Sequence, residues 1–179
     1  MKTYRFKAVT AHGDRIIGLC FPAALVLPIL ATVLVLHYSG LLGLLKMYRM
    51  YWVCWLLFLP GLYMSYLLAG KIRKSVTKDF FIQLDNLDIS IRANGNEVMH
   101  DEVLSCEIKA AHDKLARVDI YTETDEISFR ARPYQYKTIT GHLSFNIFGT
   151  SSLSDMEKLL EMGEAVMRNM ERMCSACES

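Results

Sequence analysis

The chain has 179 residues and a formal net charge of +1, a length typical of one domain. Its charges are divided unevenly: up to Lys78 there are ten Lys or Arg and one acidic residue, whereas from Asp79 onward there are ten Lys or Arg and eighteen Asp or Glu. This division excludes one uniform domain and is typical of a protein that contacts a membrane with its basic part.

Two apolar segments follow a basic stretch, residues 1–15, which we predict to be a cytoplasmic tail. Ile16–Leu36 and Met50–Ala69 are 21 and 20 residues without a charge, and about 20 residues suffice for a helix to cross a bilayer. A cleaved signal peptide would have a shorter apolar region, of about 7 to 15 residues. The sequence therefore predicts two transmembrane helices within residues 16–70, joined by an outer segment.

Basic residues flank the pair of predicted spans on one side. Four precede the first span and four lie in the predicted linker 71–78, while Lys46 and Arg49 alone lie between the spans. By the positive-inside rule, both termini should be cytoplasmic. The residues that we expect to anchor the helices at the membrane interfaces are Arg15, Trp52, Trp55, Lys71, Arg73 and Lys74.

Small side chains recur every four residues along the second span, at Gly61, Ser65 and Ala69. Such a stripe lets another helix approach closely, either the first span of the same chain or a helix of another chain. If several chains form a ring, Lys46 and Arg49 would surround the outer mouth of a pore and favour anions. The alternative is that both side chains extend to the lipid headgroups.

Residues 79–179 have the alternating pattern of an acidic cytoplasmic domain with antiparallel strands. Asn94-Gly95 predicts a hairpin turn, and further strands are predicted at 103–110, 116–122, 126–131 and 143–148. Ser154 and Glu157 are spaced as a capping box. The apolar face of the helix that follows is predicted to contain Met156, Leu159, Leu160, Met167, Met170 and Met173. The predicted fold is a membrane α-helical hairpin plus a small cytoplasmic α+β domain with a C-terminal amphipathic helix.

Short antiparallel strands followed by one C-terminal helix, from about Phe80 to Met173, resemble the pleckstrin-homology-like domains that follow two spanning helices in small bacterial membrane proteins. This resemblance implies a membrane-tethered interaction or lipid-sensing module without conductance. Headgroup binding in such domains needs clustered Lys and Arg, whereas the segment from Asp79 onward is acidic. The sequence therefore favours a protein-interaction surface.

No established enzyme motif is present, and we predict no catalytic activity, cofactor or metal site. The terminal Cys174-Ser-Ala-Cys177 is a lone pair that predicts a tail more than a zinc site. Arg5 and His12 resemble the Arg…His pair of HEPN-type ribonucleases, in which His acts as acid or base and Arg stabilises charge. HEPN domains place this pair on a helix, whereas here it lies in the basic N-terminal segment, so a ribonuclease is the weakest of the hypotheses.

Small size, paired N-terminal spans, a compact cytoplasmic domain and the Arg5 and His12 signal resemble the transmembrane accessory proteins of type VI-B CRISPR systems. The resemblance implies a homo-oligomeric pore that makes the bacterial inner membrane permeable during antiviral defence. The implied partners are further copies of the chain, the bilayer, and a CRISPR RNA-guided effector or its RNA product. Direct DNA binding is not expected.

Overall fold

A computed structural model describes residues 1–40, 51–111, 114–137 and 141–177, without the side chains of 51–55, 57, 137, 176 and 177. These residues form a small α+β protein with three helices and antiparallel strands. The elements in chain order are β1 (Lys2–Thr10), α1 (Ala11–Tyr38), α2 (Tyr51–Val76), β2 (Lys78–Asp85), β3 (Asp88–Ala93), β4 (Asn96–Ala111), β5 (Leu115–Thr122), β6 (Glu126–Ala131), β7 (Gln135–Lys137), β8 (Leu143–Phe145) and α3 (Leu153–Cys177).

The chain divides into two compact units: a barrel unit, residues 1–14 and 76–179, and a helix unit, Arg15–Ser75. The predicted tail, 1–15, and linker, 71–78, are therefore not separate segments: residues 1–14 and 76–78 belong to the barrel unit, and Arg15 and residues 71–75 belong to the helix unit. Tyr4, Phe6 and Ala8 are buried on alternate positions of β1, so the predicted tail is a strand of the barrel. The two helices are inserted between its first and second strands.

Strands β1 to β6 form a closed antiparallel barrel in sequence order. β1 pairs with β2 from Lys2 to Ala8, but it closes the barrel against β6 through Val9 and Thr10 alone. β4 joins the second strand of the predicted hairpin to the predicted strand 103–110. Its first half pairs with β3 and its second half with β5, with register shifts in both pairings. Positive φ angles at Asn94 and Gly95 confirm the predicted hairpin turn.

The barrel interior is filled by apolar side chains that alternate along the strands, and α3 packs against it. Three aromatic rings lie at its centre, where Phe129 packs edge to face with Phe6 and Phe80 at centroid distances of 5.8 and 4.9 Å. Gly163 lets α3 approach the sheet closely, because a Cβ there would lie 2.9 Å from Ile108 Cδ1. α3 thus packs against β1, β4 and β5.

The predicted amphipathic helix is confirmed, with two corrections. Its cap is formed by Ser152 and Asp155, whose side chains hydrogen bond to each other's backbone N–H at 3.1 Å, and not by Ser154 and Glu157. The buried face also differs, since Met167 and Met173 are 39% and 50% exposed. The buried apolar side chains of α3 are those of Met156, Leu159, Met162, Ala165 and Val166.

In the helix unit, α1 and α2 contact each other in antiparallel directions. Ser65 Oγ donates a hydrogen bond to the carbonyl oxygen of Leu25 at 2.9 Å, and a Cβ on Gly61 would lie 2.5 Å from Thr32 Oγ1. Among the described residues, α1 is the one helix long and apolar enough to cross a membrane by length and composition. The second predicted span, apart from Met50, which lies outside the described residues, falls within α2, and its membrane crossing stays a prediction.

Candidate functional site

Two adjoining cavities on the outside of the barrel share Arg5 and Asp79 as lining residues. On β1 and β2, side chains that face outward alternate with core residues, and the pairing register places Arg5 beside Phe81, which in turn lies beside Arg92. One cavity, about 590 Å³, therefore has a half-buried aromatic ring between two exposed guanidinium groups. The two guanidinium groups can each contact an anion, and the apolar ring lies between them.

The second cavity, about 520 Å³, extends from Arg5 to the amino end of α3. Asp155 caps the amino end of α3, because its carboxylate accepts hydrogen bonds from Ser152 N and from Lys7 N, each at 3.1 Å. The same carboxylate fastens α3 to β1. The Lys7 and Lys158 side chains contribute positive charge to this cavity.

We call Arg5, Lys7, Arg92 and Lys158 the cationic groove. Within the described part of the chain, none of these four side chains forms an ion pair. Two of the four come from β1, which sequence analysis assigned to a separate tail. Counting β1, the barrel unit has fourteen Lys or Arg and nineteen Asp or Glu, so the groove is a local concentration of positive charge in an acidic unit.

Acidic side chains gather at the opposite end of the barrel. Asp85 is the last residue of β2 and pairs with Asp88 of β3, which pairs with Glu102 of β4. Asp85 lies six residues beyond Asp79 along β2, which corresponds to roughly 20 Å of extended strand. The barrel is therefore electrically polarised, with its positive side nearer the end where β1 finishes and β2 begins.

That same end of the barrel carries the junction with the helices. Thr10 Oγ1 accepts a hydrogen bond from Gly13 N at 3.3 Å and so caps α1. The Asp14 carboxylate, 10% exposed, accepts hydrogen bonds from the guanidinium groups of Arg130 and Arg132. Asp14, which belongs to the barrel unit, is thus bound by ion pairs to β6 and to the residue that follows β6.

A second polar cluster lies on the outer face of β5 and supports the fold. Arg117 Nε donates to Asp119 Oδ2 at 2.6 Å, and the Asp119 side chain is 1% exposed. Burial raises the pKa of Asp119, but hydrogen bonds to the ionised carboxylate outweigh it, so the net pKa is lowered. Because the partner of each charge is within the cluster, we assign it to stability.

The structure separates the two residues that suggested a HEPN-like pair. Arg5 is on the outer face of β1 and lines both cavities, whereas His12 is exposed in the first turn of α1 and lines neither. They do not share a helix as in HEPN domains. The absence of catalysis stays a prediction, and among the described residues no group of three His, Cys, Asp or Glu could hold a metal ion.

The predicted helix-packing stripe is buried within the chain. Gly61 and Ser65 contact α1 as described above, and Ser65 and Ala69 are 3% and 4% exposed. The sequence allowed packing within one chain or between chains, and the structure has packing within one chain. A homo-oligomeric pore stays a prediction, and its stripe of small residues is already occupied by α1.

The remaining predicted residues lie at or beyond the ends of the described helices. Lys46 and Arg49, the predicted pore-mouth residues, lie outside the described residues, as do the side chains of Trp52 and Trp55 of α2. Of the other predicted membrane anchors, Arg15, Lys71 and Lys74 have exposed side chains, and Arg73 is half-buried.

Sequence reasoning missed three groove residues, Lys7, Arg92 and Lys158. The alternation of Tyr4, Phe6 and Ala8 with charged residues was the available signal for β1. Comparisons with protein-family models, curated proteins and solved structures find no match to this chain. The resemblances to pleckstrin-homology-like domains and to CRISPR accessory proteins stay predictions.

Proposed function

We propose that this protein is a membrane-tethered module whose cationic groove binds the phosphate groups of anionic lipids. In this proposal α1 and α2 form a transmembrane hairpin, and the barrel unit lies on the cytoplasmic side. The protein reports on the charge of the membrane surface and conducts no ions.

The pairing of β1 with β2 carries the proposal. Ala8 and Lys78 are cross-strand partners in one barrel, although α1, which is long enough to cross a bilayer, lies between them in sequence. If α1 crosses, the chain must return before Lys78, and α2 is the described element that precedes it. Strand pairing therefore supports two crossings, although among the described residues α1 alone is long and apolar enough to cross by length and composition.

Charge supports the choice of ligand. The cationic groove lies in the half of the barrel from which α1 leaves and to which α2 returns, and acidic side chains gather at the other end. A basic residue near an anionic membrane surface contributes about 1 kcal/mol of attraction. Acidic protein partners are less favoured, because they would meet the acidic end of the barrel as well.

Lipid retention by the full-length protein tests this proposal. We expect native mass spectrometry of the protein released from mixed nanodiscs to show preferential retention of phosphatidylglycerol over phosphatidylcholine. Replacing Arg5 and Arg92 with Gln removes two cations, and at about 1 kcal/mol each the preference should fall roughly thirtyfold.

Lys109→Gln is the matched control, because Lys109 is exposed and pairs with Glu107 away from the groove. It should leave the preference unchanged. Equal retention by the Arg5→Gln/Arg92→Gln variant and the starting protein would overturn the proposal. Ion leakage from liposomes that contain the protein would instead favour the pore.

A further inference from the structure

Large apolar side chains project into solvent from β8 and the residue pair that follows it. Leu143, Phe145 and Ile147 are 66%, 70% and 65% exposed, while the intervening Ser144 and Asn146 are half-buried. This is the reverse of the usual alternation, in which a strand buries its apolar side chains and exposes its polar ones. We call these three residues the apolar ridge.

The apolar ridge is held in place by a hydrogen-bonded framework. Phe145 pairs with Gln135 in the β7–β8 sheet, and Asn146 N donates to the Tyr134 carbonyl oxygen at 2.8 Å. Gly149 closes the segment tightly, because a Cβ there would lie 2.6 Å from Tyr134 Cα. The ridge is therefore carried by backbone that is hydrogen bonded to residues 134–137.

The base of this segment adjoins the cationic groove. Tyr134 and residues 150–152 line the same cavity as Arg5 and Lys7. Exposed apolar side chains next to unpaired cations match the two layers of a membrane surface, since the cations meet anionic headgroups while apolar groups enter the acyl boundary. Exposed apolar side chains that lie close together are a feature of interaction surfaces.

We propose that the apolar ridge docks on the bilayer and inserts Leu143, Phe145 and Ile147 at the boundary between headgroups and acyl chains. This inference rests on the proposed function for the tether that brings the barrel unit to the membrane. Docking gives the barrel a second membrane contact besides its two helices and orients the cationic groove toward the headgroups.

A spin label at Gln135 tests the inference and leaves the ridge intact, because Gln135 is the exposed cross-strand partner of Phe145. The background is the full-length protein with its cysteines replaced by Ser, one copy per nanodisc, and Gln135→Cys carries the nitroxide. We expect collisions with oxygen to increase and collisions with a water-soluble nickel complex to fall several-fold on transfer from detergent to phosphatidylcholine discs containing phosphatidylglycerol. A label at His100→Cys, an exposed position on β4, should stay accessible to nickel.

Replacing Leu143, Phe145 and Ile147 with Ser should return the Gln135 label to water, with unchanged thermal unfolding of the barrel. A Gln135 label as accessible to nickel as the His100 label would overturn the inference. So would protection that occurs only when a disc holds two copies, since a second chain would then cover the ridge. Lipid retention measured on the same samples separates the two proposals. If the headgroup preference is absent while the label stays protected, lipid binding by the groove is contradicted and docking of the ridge is not.

Discussion

Apolar side chains have opposite environments in the two units. In α1, Leu19 and Leu27 are 77% and 62% exposed within the protein, whereas Phe6 and Ile82 of the barrel unit are 1% and 0% exposed. α3 shows the intermediate case, with one apolar face buried against the barrel. A helix that is apolar all round and unburied has the composition of a membrane span, whereas the barrel unit buries its own apolar side chains. The comparison indicates that the two units depend on different surroundings for stability.

The largest expected effect separates buried from exposed aromatic residues within the barrel unit. Phe129→Ala removes the ring that packs against Phe6 and Phe80, and it should destabilise the protein by about 4 kcal/mol. Phe145→Ala is the matched control, because Phe145 is 70% exposed, and its effect should stay within about 0.5 kcal/mol. Thermal melts of the full-length protein in detergent, followed by near-UV circular dichroism, measure both. Equal destabilisation would contradict the assignment of the core.

A change at Asp14 tests the charge interactions that this carboxylate makes within the barrel unit. Asp14→Ala leaves the Arg130 and Arg132 guanidinium groups half-buried without their carboxylate, and it should cost about 3 kcal/mol. Asp88→Ala removes an exposed carboxylate on β3 and should change stability by about 0.5 kcal/mol or less. Chemical unfolding in detergent gives both values. A loss of stability no greater for Asp14→Ala than for Asp88→Ala would contradict a stabilising role for the Asp14 ion pairs.

Within the helix unit, substitutions at two glycines of α2 compare a position that packs against α1 with one that does not. A side chain at Gly61 would collide with Thr32, whereas a Cβ at Gly70 meets no atom within 4 Å. Gly61→Leu should therefore destabilise the α1 and α2 contact by about 2 kcal/mol, and Gly70→Leu should be tolerated. Far-UV circular dichroism on heating reports the helices. If Gly61→Leu instead changed the protomer number without affecting stability, the stripe would lie between chains.

The smallest effect concerns thiol reactivity at the barrel surface. Burial, with the charges of Asp119 and Glu107 adding to it, raises the pKa of Cys106 to about 11. A raised pKa leaves less reactive thiolate, so at about pH 8 Cys106 should react roughly a hundredfold more slowly than the exposed Cys174. Single-cysteine variants and a maleimide measure the two rates. A Cys106 rate that equals the Cys174 rate, or that does not increase toward pH 11, would contradict this environment.

Local patterns in the sequence predicted part of this fold. The Asn94-Gly95 turn, strands β5 and β6 and the amphipathic helix α3 follow from alternation, turn chemistry and helical spacing. β1 was missed because its outward-facing Arg5 and Lys7 read as the basic flank of a membrane span. The continuation of the hairpin's second strand into the predicted strand 103–110 has no local signal, since it depends on the strands that pair with β4 on either side.

The candidate site was less predictable than the fold, because its residues meet only through distant strand pairing. Arg5 and Arg92 are 87 positions apart in sequence and lie on either side of Phe81 only after β1, β2 and β3 have paired. The excess of acidic residues from Asp79 onward gave no indication of the groove, because Arg5 and Lys7 of β1 precede the helices in sequence.

The central claim, that the chain crosses the membrane at α1 and returns at α2, is tested most directly by cysteine accessibility. In a cysteine-free background, Ser39→Cys lies just beyond α1 and His100→Cys lies on β4 of the barrel unit, and both positions are exposed. A membrane-impermeant maleimide applied to right-side-out vesicles should label Ser39→Cys alone, and applied to inside-out vesicles it should label His100→Cys alone. Labelling of both positions from the same side of the membrane would contradict the account.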